Sequence, residues 1–271
     1  VTRLATVWNE YGRWTALVRG DRFVVLPDMD PELASLRTIA GGGPLRMQSA
    51  EGFADSESPD RWHALAGARL GPAVPDPGAI YTIGSNYRAL DEPPGTRPDR
   101  PPVFGKAPTS VTGDGALLAW DRTLTANVMG ECELGVVLGP DASVLGYTIV
   151  NDVTSQDPWL DGDQWLLGKS MPGFCPVGPW IVSADELDPS DLRLGFRVNG
   201  ITVQDGRTSQ MRFSIPEIVA YLSAHVALRP GDLIATGTPA RTGPDAQRTL
   251  QPGDVMTAWI DGIGELSNPV G

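Results

Sequence analysis

The chain has 271 residues, enough for one large domain or a small domain joined to a larger one. A formal net charge of −12 and a pI near 4.5 argue against nucleic acid or an anionic membrane surface as partner, and no apolar run reaches the roughly 18 residues of a membrane span. Cys132 and Cys175, with no CxxC, form no disulfide framework, and with no basic-then-apolar leader the expected location is cytoplasmic.

Residues 2–25 read as short strands broken at Tyr11-Gly12 and Gly20-Asp21, the pattern of hairpins. A short helix fits residues 31–39, ahead of the break at Gly41-Gly42-Gly43-Pro44. A second helix fits residues 60–70, with Ser58 or Asp60 as cap. The proline-rich stretch 71–78 reads as a linker, which places a small N-terminal α/β domain at residues 1–72 and a larger one at 73–271. From Ile80 onward the pattern is mostly strands, including residues 136–138, 146–150, 180–182 and 233–236. Asn199-Gly200 between residues 194–198 and 201–203 predicts a hairpin, because Asn-Gly supplies both positive-φ positions of a type I′ turn. Ser214-Ile215-Pro216-Glu217 has the spacing of a helix capping box, and His225 on that helix reads as a packing or surface residue. The expected class is α+β, mainly β.

Only two of the 21 basic residues are lysines. Both stand in Gly- or Pro-containing segments, Phe104-Gly105-Lys106-Ala107-Pro108 and Gly168-Lys169-Ser170, which shape loops rather than solvated faces. An ammonium is a compact point charge that arginine replaces poorly at an enolate or carboxylate oxygen. Lys106 either reaches a pocket or braces a turn.

In Glu131-Cys132-Glu133, strand alternation puts both carboxylates on one face, about 7 Å apart, and turns Cys132 to the other. The apolar run from Leu134 to Leu138 makes this a buried strand. A second strand ends in Asn151-Asp152, adding a third carboxylate. Three carboxylates without histidine or thiolate suit a hard cation: Mg²⁺, with Mn²⁺ or Ca²⁺ as alternatives, and not zinc.

These residues carry a resemblance. Tyr81-Thr82-Ile83-Gly84-Ser85-Asn86-Tyr87, Val103-Phe104-Gly105-Lys106-Ala107-Pro108 and Glu131-Cys132-Glu133 occur in order with Gly146-Tyr147-Thr148-Ile149-Val150-Asn151-Asp152 and Pro230-Gly231-Asp232-Leu233-Ile234-Ala235-Thr236-Gly237-Thr238-Pro239. The chain resembles the fumarylacetoacetate hydrolase family. The resemblance implies a mixed β-sandwich roll domain, a homodimer, and a small oxo-acid or diketone as substrate. It implies Glu131, Glu133 and Asp152 as metal ligands, Lys169 as a substrate-side lysine and Thr238 in the substrate loop. Tyr87, Lys106, Gln156 and Trp159 are the other expected substrate contacts.

Two departures from the family pattern shape the expected chemistry. Many members carry a histidine shortly after Asn-Tyr and a glutamate three residues later, the pair that activates water; Leu90 and Pro93 stand there instead. Proton transfer then falls to Glu92, Asp91, Lys169 or metal-bound water, with Lys169 and Glu92 the expected catalytic residues. Gln156 and Trp159 replace an arginine and a glutamine, which predicts a less cationic, more apolar wall and a substrate with fewer carboxylates. The expected reaction passes through a metal-stabilised enolate without attack by water: decarboxylation, isomerisation, tautomerisation or dehydration. Hydrolysis of a C–C bond is the alternative, and a metal-binding protein without catalysis is the third reading.

Overall fold

In the computed structural model, which describes residues 1–27, 30–88, 92–93, 97–157 and 164–271, the apolar runs become central strands of a twelve-stranded mixed sheet. Cys132–Leu138 lies between Val144–Asn151 and Leu233–Ala235, antiparallel to both. Cys175–Ser183 flanks Val144–Asn151 on its other side. A four-stranded antiparallel sheet runs in the order Ile201–Arg207, Arg193–Val198, Val255–Ile260, Gly264–Pro269.

The central strands are apolar at successive positions because both of their faces are covered. Cys132, Leu134, Val136 and Leu138 pack with Phe196, Val198, Met256 and Leu266 of the smaller sheet. Val137, Val150, Val177 and Ile181 pack on the opposite side with Leu36, Ile39, Met47 and Ala50 of a helix. Burying such side chains stabilises the fold by about 1.5–3 kcal/mol each. The class is α+β, mainly β, as expected.

The N-terminal hairpins form as read: Arg3–Asn9, Gly12–Arg19 and Arg22–Val25 are an antiparallel meander. They join the large sheet directly, with Leu4 opposite Ile181 of Cys175–Ser183. The helix expected over residues 31–39 starts later and runs longer, as Leu36–Ser56. Ser35 caps it by accepting from Thr38 N at 3.1 Å. The Gly-rich break is present inside it: Gly43 sits at φ 56°, and Pro44 restarts the helix on the other side. The helix expected over residues 60–70 does not form. One 3₁₀ turn, Pro59–Arg61, leads into His63–Ala64, which pairs with Arg22–Val25, and Arg69–Leu70, which pairs with Arg3–Asn9. Open sheet edges take those backbone groups, and a helix there would have left them unpaired.

Asn199 and Gly200 have φ of 52° and 78°, and Ser214 and Glu217 cap Ile215–Ser223 reciprocally, both as the sequence predicts. Among the described residues, no helix is long and apolar enough to cross a membrane.

Candidate active site

The acidic residues converge where the large sheet begins. A Cβ on Gly130 would fall 2.2 Å from Phe196 Cζ, so only glycine lets the chain enter the strand this closely. Glu131 N then donates to Asn151 Oδ1 at 3.0 Å, and Asp152 N donates to Glu131 O at 2.9 Å. Alternation acts as expected. Cys132 Sγ turns into the core toward Trp259 O at 3.5 Å, and Glu131 and Glu133 face the other way. One oxygen from each of Glu131, Glu133 and Asp152 lies within 4.8 Å of the others.

Both lysines meet Asp152. Lys106 Nζ donates to Oδ1 and Lys169 Nζ to Oδ2, each at 2.5 Å. Lys106 also donates to Val153 O at 3.0 Å, and Lys169 to Thr154 Oγ1 at 2.9 Å. Lys169 Nζ lies 3.7 Å from Glu131 Oε2 as well. Burial by itself would raise the Asp152 carboxyl, but the two ammoniums hold it below the ordinary range. Burial would lower Lys169, but Asp152, Glu131 and Glu133 hold it above its ordinary value, as an ammonium. Glu133 is pushed well above the usual carboxylate range, by burial first and then by the charges of Asp152 and Glu131. Glu131 is raised for the same first reason and partly restrained by Lys169.

Three carboxylates against two ammoniums leave one negative charge in excess, and Glu133 bears its cost. Gly237 N donates to Glu133 Oε2 at 2.7 Å. Gly237 stands at φ 95°, where a Cβ would meet Asn86 Cβ at 2.7 Å and Ile83 O at 2.9 Å, so the donor depends on glycine. The donor set fits a hard divalent cation, whose ligands are oxygens. Burial pushes the Cys132 thiol up to about 12, which removes it as a thiolate ligand.

A cavity of about 530 Å³ opens over the acidic group. Phe104 and Trp165, with ring centroids 5.3 Å apart, form an apolar wall beside Ile83 and Tyr87. Gln156, Lys169 and Thr238 line the cavity together with Tyr87. Thr238 Oγ1 donates to Cys132 O at 2.7 Å and accepts from Gln204 Nε2 at 2.8 Å. Gln204 Oε1 accepts from Cys132 N at 3.0 Å, so this buried glutamine ties the Thr238 loop to the strand bearing the two glutamates. Nothing in the local sequence marks Gln204, which arrives from the other sheet.

Other expected positions differ. Lys106 is absent from the cavity wall: its side chain is fully buried and braces Asp152. Glu92 gives both its oxygens to Arg212, and of the two it is Arg212 that lines the cavity. Leu90, Asp91 and Trp159 lie outside the described residues. Gln156 leaves the wall neutral at its own position, while positive charge enters the cavity elsewhere. Arg212 and Arg241 both line the cavity, supplied by segments whose sequence carries no periodic signal. The two histidines lie on the exposed surface; His225 Nδ1 contacts Tyr221 O at 2.7 Å, and neither lines the cavity.

Residues 79–271 match the fumarylacetoacetate (FAA) hydrolase C-terminal family. The chain belongs to the fumarylacetoacetate hydrolase family. In structure it is similar to a fumarylacetoacetate hydrolase of the psychrophile Exiguobacterium antarcticum, at 29% identity and a TM-score of 0.84, covering 100% of this chain and 99% of that one. It is similar to a 2-hydroxyhepta-2,4-diene-1,7-dioate isomerase of Mycobacterium marinum, at 31% identity and a TM-score of 0.76, covering 100% and 98%. It is similar also to a maleylpyruvate hydrolase of Sphingobium, solved with manganese(II) and pyruvate, at 27% identity and a TM-score of 0.78, covering 99% and 98%. These fumarylacetoacetate hydrolase family neighbours are enzymes, isomerase and hydrolase alike, and a divalent metal is compatible with the acidic triad of this chain.

Proposed function

We propose that this chain is a divalent-metal-dependent enzyme acting on a small 2-oxo acid or 1,3-dicarbonyl compound, and that it moves protons without hydrolysing a C–C bond. The observation that carries this reading is the cavity floor: Lys169 held as an ammonium beside two buried carboxylates and a half-buried one, with both histidines of the chain elsewhere. Mg²⁺ or Mn²⁺ bound by Glu131, Glu133 and Asp152 would supply a Lewis acid to the substrate's oxygens. Lys106 fixes Asp152 from behind. Lys169 presents positive charge where negative charge develops on the substrate, in a site dry enough to make that charge effective. Thr238 and Gln204 position the loop against one end of the substrate, and Phe104, Trp165 and Tyr87 exclude water along the other wall. Gln156 supplies a neutral polar contact. Glu92 is the acid–base group, acting when it leaves Arg212.

With no histidine on the cavity wall among the described residues to position water, the reactions this arrangement serves are isomerisation, tautomerisation, decarboxylation and dehydration. The second reading, C–C hydrolysis, is favoured by the similarity to maleylpyruvate hydrolase. A screen of oxaloacetate, an acylpyruvate and an aryl 1,3-diketo acid, with Mg²⁺ or with EDTA, separates them. Metal-dependent formation of an isomer, a dehydration product or CO₂ supports the proposal; an acid plus a ketone in its place would sink it. Tight metal binding with no turnover on any substrate would favour the non-catalytic reading. The homodimer and the domain boundary at residue 72 are proposals too, tested by light scattering and by limited proteolysis.

A further inference from the structure

Arg212 is anchored to the same frame as the acidic group. Its N–H donates to Asn86 O at 2.6 Å, and its carbonyl accepts from Arg97 Nη1 at 3.0 Å. Asn86 also holds the next residue, accepting from Phe213 N at 2.9 Å and donating to Phe213 O at 3.2 Å. The same Asn86 amide reaches Thr236 O at 2.7 Å, immediately before the loop that touches Glu133 and Cys132. Arg212 forms part of the cavity wall, and Glu92, which binds its Nη1 and Nη2, does not. The two side chains are 12% and 16% exposed, at the margin between cavity and solvent.

The other arginine on the wall is committed differently. Arg241 donates to the backbone carbonyls of Gly130 and Ala246, acceptors that cannot move aside without disturbing the fold. Arg212 holds a carboxylate, and a second carboxylate can replace it group for group. The incoming anion would make the same forked, charge-assisted pair, and Glu92 would be released from Arg212. Exchange of like for like costs little compared with stripping a buried donor of its acceptor.

We propose that Arg212 recognises a carboxylate of the substrate other than the group held over the acidic triad, and that Glu92 is its resident competitor. This rests on the oxo-acid reading above. It accounts for how a chain of net charge −12, with three carboxylates under its cavity, admits an anion. It also releases Glu92 from Arg212 only when the correct anion has arrived.

Binding can be read without turnover, by titration calorimetry of the Mg²⁺-loaded protein with 2-oxoadipate and with 2-oxohexanoate, a diacid and a monoacid of equal chain length. The wild type is expected to prefer the diacid tenfold or more. Arg212→Leu should bring the diacid down to the monoacid's affinity and leave the monoacid unchanged. Glu92→Gln should tighten the diacid several-fold, because the competitor has lost its charge. A wild type without preference, a preference that survives Arg212→Leu, or weaker diacid binding in Glu92→Gln would each overturn the inference. If Arg212→Leu does not fold, judged by its thermal midpoint, Glu92→Gln decides alone. Equal binding of both acids would remove the role of Arg212 and keep the oxo-acid reading, whereas binding of neither would remove both.

Discussion

Replacing Lys106 by methionine isolates the part of the site that holds a metal ligand in place. The ammonium is fully buried and bonded to Asp152 and Val153, so methionine removes a charge from the interior and leaves the volume nearly unchanged. Breaking a buried ion pair on one side costs about 3–5 kcal/mol. Asp152 keeps Lys169 on its other oxygen, which argues for the low end, about 3 kcal/mol. With an unfolding entropy of about 2.1 cal/mol/K per residue, the 271-residue chain should lose about 5 °C of thermal midpoint. Calorimetric melting in EDTA measures this directly. Saturating Mg²⁺ should shrink the deficit, because the ion supplies positive charge to the same carboxylate. A shift below about 1 °C in EDTA would refute the claim that Lys106 balances Asp152, as would a deficit that Mg²⁺ leaves untouched.

Three further outcomes follow from the same geometry. Lys169→Met should lower turnover about 100- to 1000-fold with metal binding retained, measured by steady-state kinetics and calorimetry; equal loss of both would make the lysine structural. Glu133 has a folded pKa raised above its unfolded value, so the folded state binds the extra proton and its metal-free stability falls as pH rises above the ordinary glutamate range. Asp152, with a depressed pKa, acts oppositely: its contribution is present above the ordinary aspartate range and is lost as pH falls. Urea titrations in EDTA should therefore show Glu133→Gln more stable than wild type at pH 8, with the advantage fading at low pH and metal binding abolished. Gly237→Ala should cost about 1–3 kcal/mol of stability and weaken metal affinity, because a positive-φ site loses its fit and Glu133 its donor; an unchanged melt would contradict this.

The convergence of the acidic triad was legible in the sequence because its cause is local. Alternation fixes the faces of Glu131, Cys132 and Glu133, and the apolar run that follows fixes the strand's burial. The Asn199-Gly200 turn and the Ser214–Glu217 cap are local for the same reason. Arg212, Arg241 and Gln204 were not legible. Each reaches the cavity from a segment far away in sequence, and no spacing rule links position 204 to 132 or 212 to 92. The failed helix over residues 60–70 has a long-range cause too, since its backbone is captured by strands near the N-terminus. Lys106 was half legible: its segment pointed to a pocket, but only the packing shows that it stands behind Asp152.

The central claim is proton movement on a metal-held oxo acid without attack by water, and isotope labelling tests it most directly. The Mg²⁺-loaded protein would be given a substrate that turns over, once in D₂O and once in ¹⁸O-labelled water, with products read by mass spectrometry. The account predicts deuterium on a substrate carbon in the isomerised or decarboxylated product and no ¹⁸O in a new carboxylate. A carboxylate newly formed by C–C cleavage and carrying ¹⁸O would contradict it and place the chain with the hydrolases.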